Sequence, residues 1–234
     1  AKLTVKVYDD YYYYTQGQAS THTLARSCGY NAGITATSIE DARTQYAPFN
    51  NQIMYTTNNG NAIDFTDYAM LTPSNQTKNV DNIWFATFAN NLTSIPADAF
   101  SSMRNKDTKF VSVTLPLSVT TVGDYSFWDN SSLEFISMPV VVTIDNNRGY
   151  VLSNCICLET VIMGPNISAK GKNTFSDCGS IRNFYCYSAT PPTLDENTFA
   201  FCLRGAATLH VPAGCKRAYQ TAQWGEFGTI VDDL

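Results

Sequence analysis

Two glutamates have a spacing that could support acid–base chemistry. Glu134 and Glu159 are 25 residues apart, and each precedes an alternating apolar segment typical of a strand. If those strands are neighbours, the two backbones lie about 4.8 Å apart, close to the carboxyl separation of a retaining glycosidase. Arg182 holds the same place before the next strand. Because no closed apolar pocket is predicted around these carboxyls, a Glu-Glu-Arg charge ladder is the simpler interpretation.

Other catalytic and ligand-binding signals are weak. The two histidines, His22 and His210, lie in different regions, and the chain has no G-x-S-x-G, C-x-x-C or glycine-rich phosphate-loop motif. We therefore predict a non-enzyme with no cofactor and no metal site. The net charge of −5, from 15 basic and 20 acidic residues, argues against a nucleic-acid partner. No apolar run reaches the roughly 18 residues that predict a membrane span.

An internal repeat positions these residues. The clearest unit runs from Val122 to Pro139. In it an aromatic anchor, Phe127, is followed by Asn130 and then by alternating apolar residues that include Ile136. The same order recurs with anchors 23 to 30 residues apart at Met70, Phe100, Phe127, Leu152, Phe175 and Phe199.

The repeat predicts the fold class. A period of 20 to 29 residues with an L-x-x-L-x-L core is typical of a leucine-rich-repeat solenoid, whereas a sandwich would show turns every 8 to 12 residues. We predict an α+β, mostly β fold: a leucine-rich-repeat solenoid with parallel strands and about six coils, capped at both ends because an open end exposes core. The expected domains are a β/α capping or flanking region at 1–48, with a helix starting at Ser38, the solenoid at 49–212, and a helical cap at 213–234.

The repeat register also interprets the cysteines. Cys155, Cys178 and Cys202 share the position of Asn130, three residues after the anchor. That position is expected to face inward, where Asn or Cys can bond to the turn backbone. Buried free thiols are therefore favoured. A disulfide between neighbouring coils stays open as an alternative, because the strand spacing is within disulfide reach.

The outward positions of the predicted strands carry several large side chains. Aromatic residues concentrate at binding hot spots, so this face is our candidate binding surface. Cover by the N-terminal region or by a loop is the alternative. The candidate contact residues are Trp84, Phe135, Ile162, Tyr185, His210, Glu134, Glu159 and Arg182.

Three segments resemble the BspA-like leucine-rich-repeat surface proteins: the unit at 122–139 with its repeated Cys position, the tail Leu209–Tyr219, and the preceding segment Asn51–Gly60. The resemblance covers roughly residues 50–230. It implies an exported surface protein, bacterial or from a mucosal parasite, that adheres to host proteins or other cells, and it brings no catalytic residues. Because Ala1 leads directly into a strand pattern, we expect any export signal to precede it.

These observations lead to three functional hypotheses. The first is a secreted or cell-surface protein that mediates adhesion or protein–protein recognition through its outward strand face, with a host or bacterial surface protein, or a glycan, as partner. The second is a structural spacer or display module without its own ligand. The third is a polysaccharide-active enzyme built on the solenoid. Exposure of the outward aromatic residues would favour the first hypothesis over the second.

Overall fold

The computed structural model describes the backbone of residues 3–7, 12–16 and 32–36. It describes backbone and side chains for residues 51–65, 71–78, 82–89, 92–103, 107–144, 147–167, 171–195 and 197–234. The expected anchor Met70 and the expected helix after Ser38 lie outside the described residues.

Fifteen strands and one short helix are described. The first three strands form an antiparallel sheet of order β2-β1-β3. The helix, α1, is Lys216–Thr221, and 3₁₀ turns lie at Arg204–Ala206 and Gln223–Glu226. In chain order the strands are β1 (Leu3–Val7), β2 (Tyr12–Gln16), β3 (Ala32–Ala36), β4 (Gln52–Thr57), β5 (Asn75–Lys78), β6 (Trp84–Thr87), β7 (Ser94–Ile95), β8 (Phe110–Thr114), β9 (Thr121–Val122), β10 (Phe135–Met138), β11 (Thr143–Ile144), β12 (Thr160–Met163), β13 (Asn183–Cys186), β14 (Thr208–His210) and β15 (Thr229–Val231).

The repeat units stack as predicted. Strands β8, β10, β12, β13, β14 and β15 pair in parallel within one nine-stranded sheet. Equivalent residues of neighbouring coils are register partners, as in the pairing of Ile136 with Val113 and Val161. A second parallel sheet, β7, β9 and β11, runs along another side of the coils. The solenoid of about six turns is thereby confirmed.

The repeat anchors form a buried spine between these sheets. Phe127, Leu152 and Phe175 are fully buried. The ring centroids of Phe100 and Phe127 are 5.3 Å apart, and those of Phe175 and Phe199 are 5.2 Å apart in a stacked arrangement. Each coil thus buries its anchor against its neighbour, which is how a solenoid obtains a continuous core from units that cannot fold alone.

A polar ladder joins the same coils. The Cys155 thiol donates to the carbonyl of Phe127 in the preceding coil (3.3 Å), and the Cys178 thiol donates to that of Leu152 (3.1 Å). The Cys202 thiol donates to the Phe175 carbonyl (2.7 Å). Cys155 and Cys178 are buried, Cys202 is half-buried, and all three are free thiols, so the inward, structural interpretation of these positions agrees with the structure.

Left-handed backbone positions bracket the anchor turns. Among the described residues, six of the nine non-glycine residues with positive φ are Asn or Asp, which tolerate this region best. Any other side chain there costs about 1–2 kcal/mol. The positions two residues before an anchor are Asp98, Tyr125, Tyr150 and Asn173, and those two residues after an anchor are Asp129, Asn154, Asp177 and Phe201.

The C-terminal segment covers the last coil. Tyr219 of α1 and Trp224 are fully buried in the main core. The Tyr219 hydroxyl donates to the Ser188 carbonyl (2.7 Å), and the Trp224 indole N–H donates to the Pro192 carbonyl (2.8 Å). The same segment then adds β15 to the sheet, a strand that the sequence did not predict.

The prediction that Trp84 lies on the outward strand face is wrong. Strand β6 pairs antiparallel with β4, so Trp84 lies opposite Tyr55 on the core side of the sheet. The two rings stack 6.4 Å apart, and the Trp84 indole N–H donates to the Gly60 carbonyl (3.2 Å). A repeat register carried over from parallel coils misplaces this strand, because a shift of one residue exchanges the two faces of a strand.

Candidate functional site

The centre of the outward strand face is closed. Phe135 and Ile162 are only 7% and 1% exposed. They form a second apolar cluster with Tyr187, against which Tyr185 and Leu234 pack. The expectation that Phe135 and Ile162 are displayed to solvent is therefore wrong.

The outward face opens partly over β13 and β14. Tyr185 and His210 are half-buried and stack with ring centroids 4.2 Å apart. His210 Nδ1 lies 3.0 Å from a carboxylate oxygen of Asp233, so this aspartate holds the imidazole in place. Burial raises the pKa of the Tyr185 hydroxyl, and the negative charge of Asp233 raises it further. His210 Nε2 is buried without a hydrogen-bond partner in the described part of the chain.

The predicted charged residues do lie side by side. The Glu159 N–H donates to the Glu134 carbonyl, and the Arg182 N–H donates to the Glu159 carbonyl, both at 2.9 Å. However, the Arg182 guanidinium donates to the Ile181 carbonyl (3.0 Å), and within the described ranges no ion pair joins it to Glu159. Glu159 and Arg182 are exposed and Glu134 is only half-buried. The described residues therefore form no closed pocket that would desolvate both carboxylates, and the geometry offers no built acid–base pair.

A metal centre also finds no support here. Among residues whose side chains are described, no group of three or more His, Cys, Asp and Glu side chains is arranged to hold a metal ion.

Large apolar side chains are exposed elsewhere, at a corner of the coils before the strands. Phe201 is 84% exposed, Leu203 63% and Ile156 51%. The sequence contains a signal of this exposure. Counted from Phe100 onward, the position two residues after the anchor holds Ser102, Asp129, Asn154 and Asp177 in four coils but an aromatic residue in the fifth.

At the other two aromatic residues with positive φ, side-chain contacts compensate for the unfavourable backbone conformation. Tyr125 and Tyr150 stack with centroids 5.1 Å apart and nearly parallel rings. The Arg148 guanidinium lies 5.2 Å from the Tyr125 ring and donates to Asp98 (3.0 Å). Asp124, almost fully buried, accepts a hydrogen bond from the Arg148 N–H (2.9 Å). These contacts offset the backbone cost at both tyrosines, whereas Phe201 makes no comparable contact with the part of the chain that the structure describes.

Comparison with known proteins agrees with this architecture. Across the described ranges, no helix has both the length and the apolar character needed to cross a membrane. A search of curated proteins finds no match. The family description "BspA type Leucine rich repeat region (6 copies)" matches residues 72–205, more than half of the sequence. The chain therefore belongs to the BspA-type leucine-rich-repeat family.

Proposed function

We propose that this solenoid is an exported cell-surface protein that adheres to a partner protein through the accessible part of its outward strand face. The observation that carries the proposal is the half-open Tyr185–His210 stack beside the exposed charges of Arg182 and Glu159. Tyr185 and His210 lie in the neighbouring strands β13 and β14, and Glu159 and Arg182 directly precede β12 and β13, so a partner meets them in a fixed arrangement.

Side-chain chemistry supports a protein partner. Tyrosine and arginine are among the residues that dominate protein interfaces. Glu159 and Arg182 are adjacent charges of opposite sign, which favour a partner with the complementary pair. A glycan would use the aromatic stack instead and would depend less on the two charges.

Export and adhesion are supported by the family, because BspA-like leucine-rich-repeat proteins are typically exported surface proteins associated with adhesion. The partner expected on this basis is a host or bacterial surface protein. No cofactor is part of the proposal.

The experiment measures binding to a panel of purified extracellular-matrix proteins and mucins by surface plasmon resonance. Charge reversal by Arg182→Glu should weaken binding of the recognised protein by about tenfold or more, and Tyr185→Ala should weaken it similarly. Thr143→Ala, at an exposed residue of the second parallel sheet, is the matched control and should bind like the wild type. Equal affinity of Arg182→Glu and the control for every bound protein would refute the proposed face.

A structural spacer is the second candidate function. It is favoured by the closed centre of the outward face, where Thr114 and Ser137 are fully buried. If no panel protein binds the wild type while the chain remains folded, this second function replaces the first.

A further inference from the structure

Phe201 adopts a backbone conformation that destabilises the fold, and within the described residues no side-chain contact offsets this cost. Its φ is +60°, a conformation that disfavours a large side chain. Its ring is 84% exposed, and no other ring or cation of the described residues contacts it. Strained residues that the fold does not need are concentrated at binding and catalytic sites. The equivalent positions hold Asp129, Asn154 and Asp177, which accept this backbone readily.

Phe201 is one part of an apolar patch that spans three coils. Leu203 and Ile156, both more than half exposed, stand four residues after their anchors. Gly179 holds the same place in the coil between them, and a Cβ added to it would meet nothing within 4 Å. The Ile156 and Leu203 backbones are therefore about 10 Å apart, with a notch at Gly179 wide enough for one apolar side chain.

Backbone hydrogen bonds fix this geometry. The Asn154 N–H donates to the Ser176 carbonyl, and the Asp177 N–H donates to the Ala200 carbonyl, both at 2.9 Å. The three turns are thus held side by side just before the patch residues. Because the surface is preformed, little conformational entropy of this protein is lost when a partner side chain fills the notch.

The charges beside the patch define the partner. The exposed carboxylate of Asp177 has no hydrogen-bond or ion-pair partner within the described ranges. Arg204, which follows Leu203, is already paired with Glu226 and lies over the Phe199 ring at 5.2 Å, and the Arg182 guanidinium, three residues after Gly179, donates to the Ile181 carbonyl (3.0 Å). The charge that adjoins Phe201 is therefore that of Asp177, and it complements a lysine or arginine.

We propose that the patch formed by Ile156, Gly179, Phe201 and Leu203, with Asp177 at its rim, binds a protein segment that presents a bulky apolar side chain next to a lysine or arginine. The apolar side chain enters the notch at Gly179 and contacts the Phe201 ring, while the basic side chain pairs with Asp177. Aliphatic Ile156 and Leu203 offer no hydrogen bonds to sugar hydroxyls, so the ligand is a polypeptide. This site is separate from the outward strand face and does not depend on the function proposed for it.

Selection from a random 12-residue peptide library displayed on phage tests the proposal. The selected peptides should be enriched in an apolar residue adjacent to Lys or Arg. A synthetic peptide of the selected consensus should bind Phe201→Asn at least about tenfold more weakly than the wild type. Asp177→Asn should weaken binding about threefold and reduce its salt dependence.

Two variants separate binding from folding. Phe201→Asn should raise the melting temperature by about 2–4 °C while binding is lost, because Asn relieves the backbone strain. Gly179→Lys fills the notch from a position with open space, so it should leave the melting temperature unchanged and weaken binding at least about tenfold.

Three results would overturn the proposal. The first is a library that yields no binders or no apolar–basic enrichment. The second is a consensus peptide that binds Phe201→Asn or Gly179→Lys as tightly as the wild type. The third is a Phe201-dependent dimer in light scattering, which would make a second copy of this chain the occupant.

Discussion

The buried amide of Asn130 provides the sharpest test of the ladder that joins the coils. Its Nδ2 donates to the carbonyl of Phe100 in the preceding coil (2.7 Å) and to that of Phe127 in its own coil (2.9 Å). The residue is 1% exposed. The Phe127 carbonyl also accepts from the Cys155 thiol (3.3 Å) and so keeps a partner if Asn130 is replaced. Loss of the amide therefore affects the Phe100 carbonyl most.

Asn130→Ala should lower the free energy of unfolding by about 3 kcal/mol, because one buried carbonyl is left unsatisfied and a second hydrogen bond is lost. Asn130→Cys should cost only about 1 kcal/mol. A thiol at this position can reach the carbonyl of the preceding anchor, as the thiols of Cys155 and Cys178 do.

Urea denaturation followed by circular dichroism measures both variants against the wild type. The reasoning fails if Asn130→Ala costs less than about 0.5 kcal/mol, or if Asn130→Cys costs as much as Asn130→Ala. Either result would mean that hydrogen bonds at this position do not hold neighbouring coils together.

Two further predictions concern backbone space and pH. Gly149→Ala should destabilise the chain by about 3 kcal/mol or more, because φ is +80° and the added Cβ would clash with the Lys172 carbonyl; Gly60→Ala, with φ +72° and open space, should cost only about 1 kcal/mol in the same urea titration. Burial raises the pKa of the Cys186 thiol from its ordinary 9.0 to about 11, so its contribution to stability is complete below pH 9 and is lost as the pH rises to 11. Over this range the wild type should lose about 2–3 kcal/mol more than Cys186→Val, and equal losses would contradict this assignment.

Much of the solenoid could be predicted because each repeated side chain contacts the side chain at the equivalent position of the neighbouring coil. Phe127 and Phe175 lie in the spine that their spacing indicated, and the Cys178 position faces inward as its shared place with Asn130 required. Period and register carry this information directly, since each coil meets only its neighbours.

The candidate surfaces were harder to predict, for three physical reasons. Trp84 belongs to an antiparallel strand, so the repeat register assigned it to the wrong face. Ile162 is covered by contacts distant in sequence, including Leu234, which strand alternation cannot reveal. Phe201 is visible only as an exception in a position that small polar residues hold in the other coils, and its meaning depends on the backbone angle.

Hydroxyl-radical footprinting with mass spectrometry tests the central claim most directly, namely that Phe201 and Leu203 are accessible at the coil corner while the middle of the outward strand face is closed. Corrected for intrinsic reactivity, Phe201 and Leu203 should be oxidised at least about tenfold faster than Phe135 and Ile162, since side-chain exposure is 84% and 63% for the first pair but 7% and 1% for the second. Oxidation of Phe135 and Ile162 as fast as that of Phe201 would contradict the account.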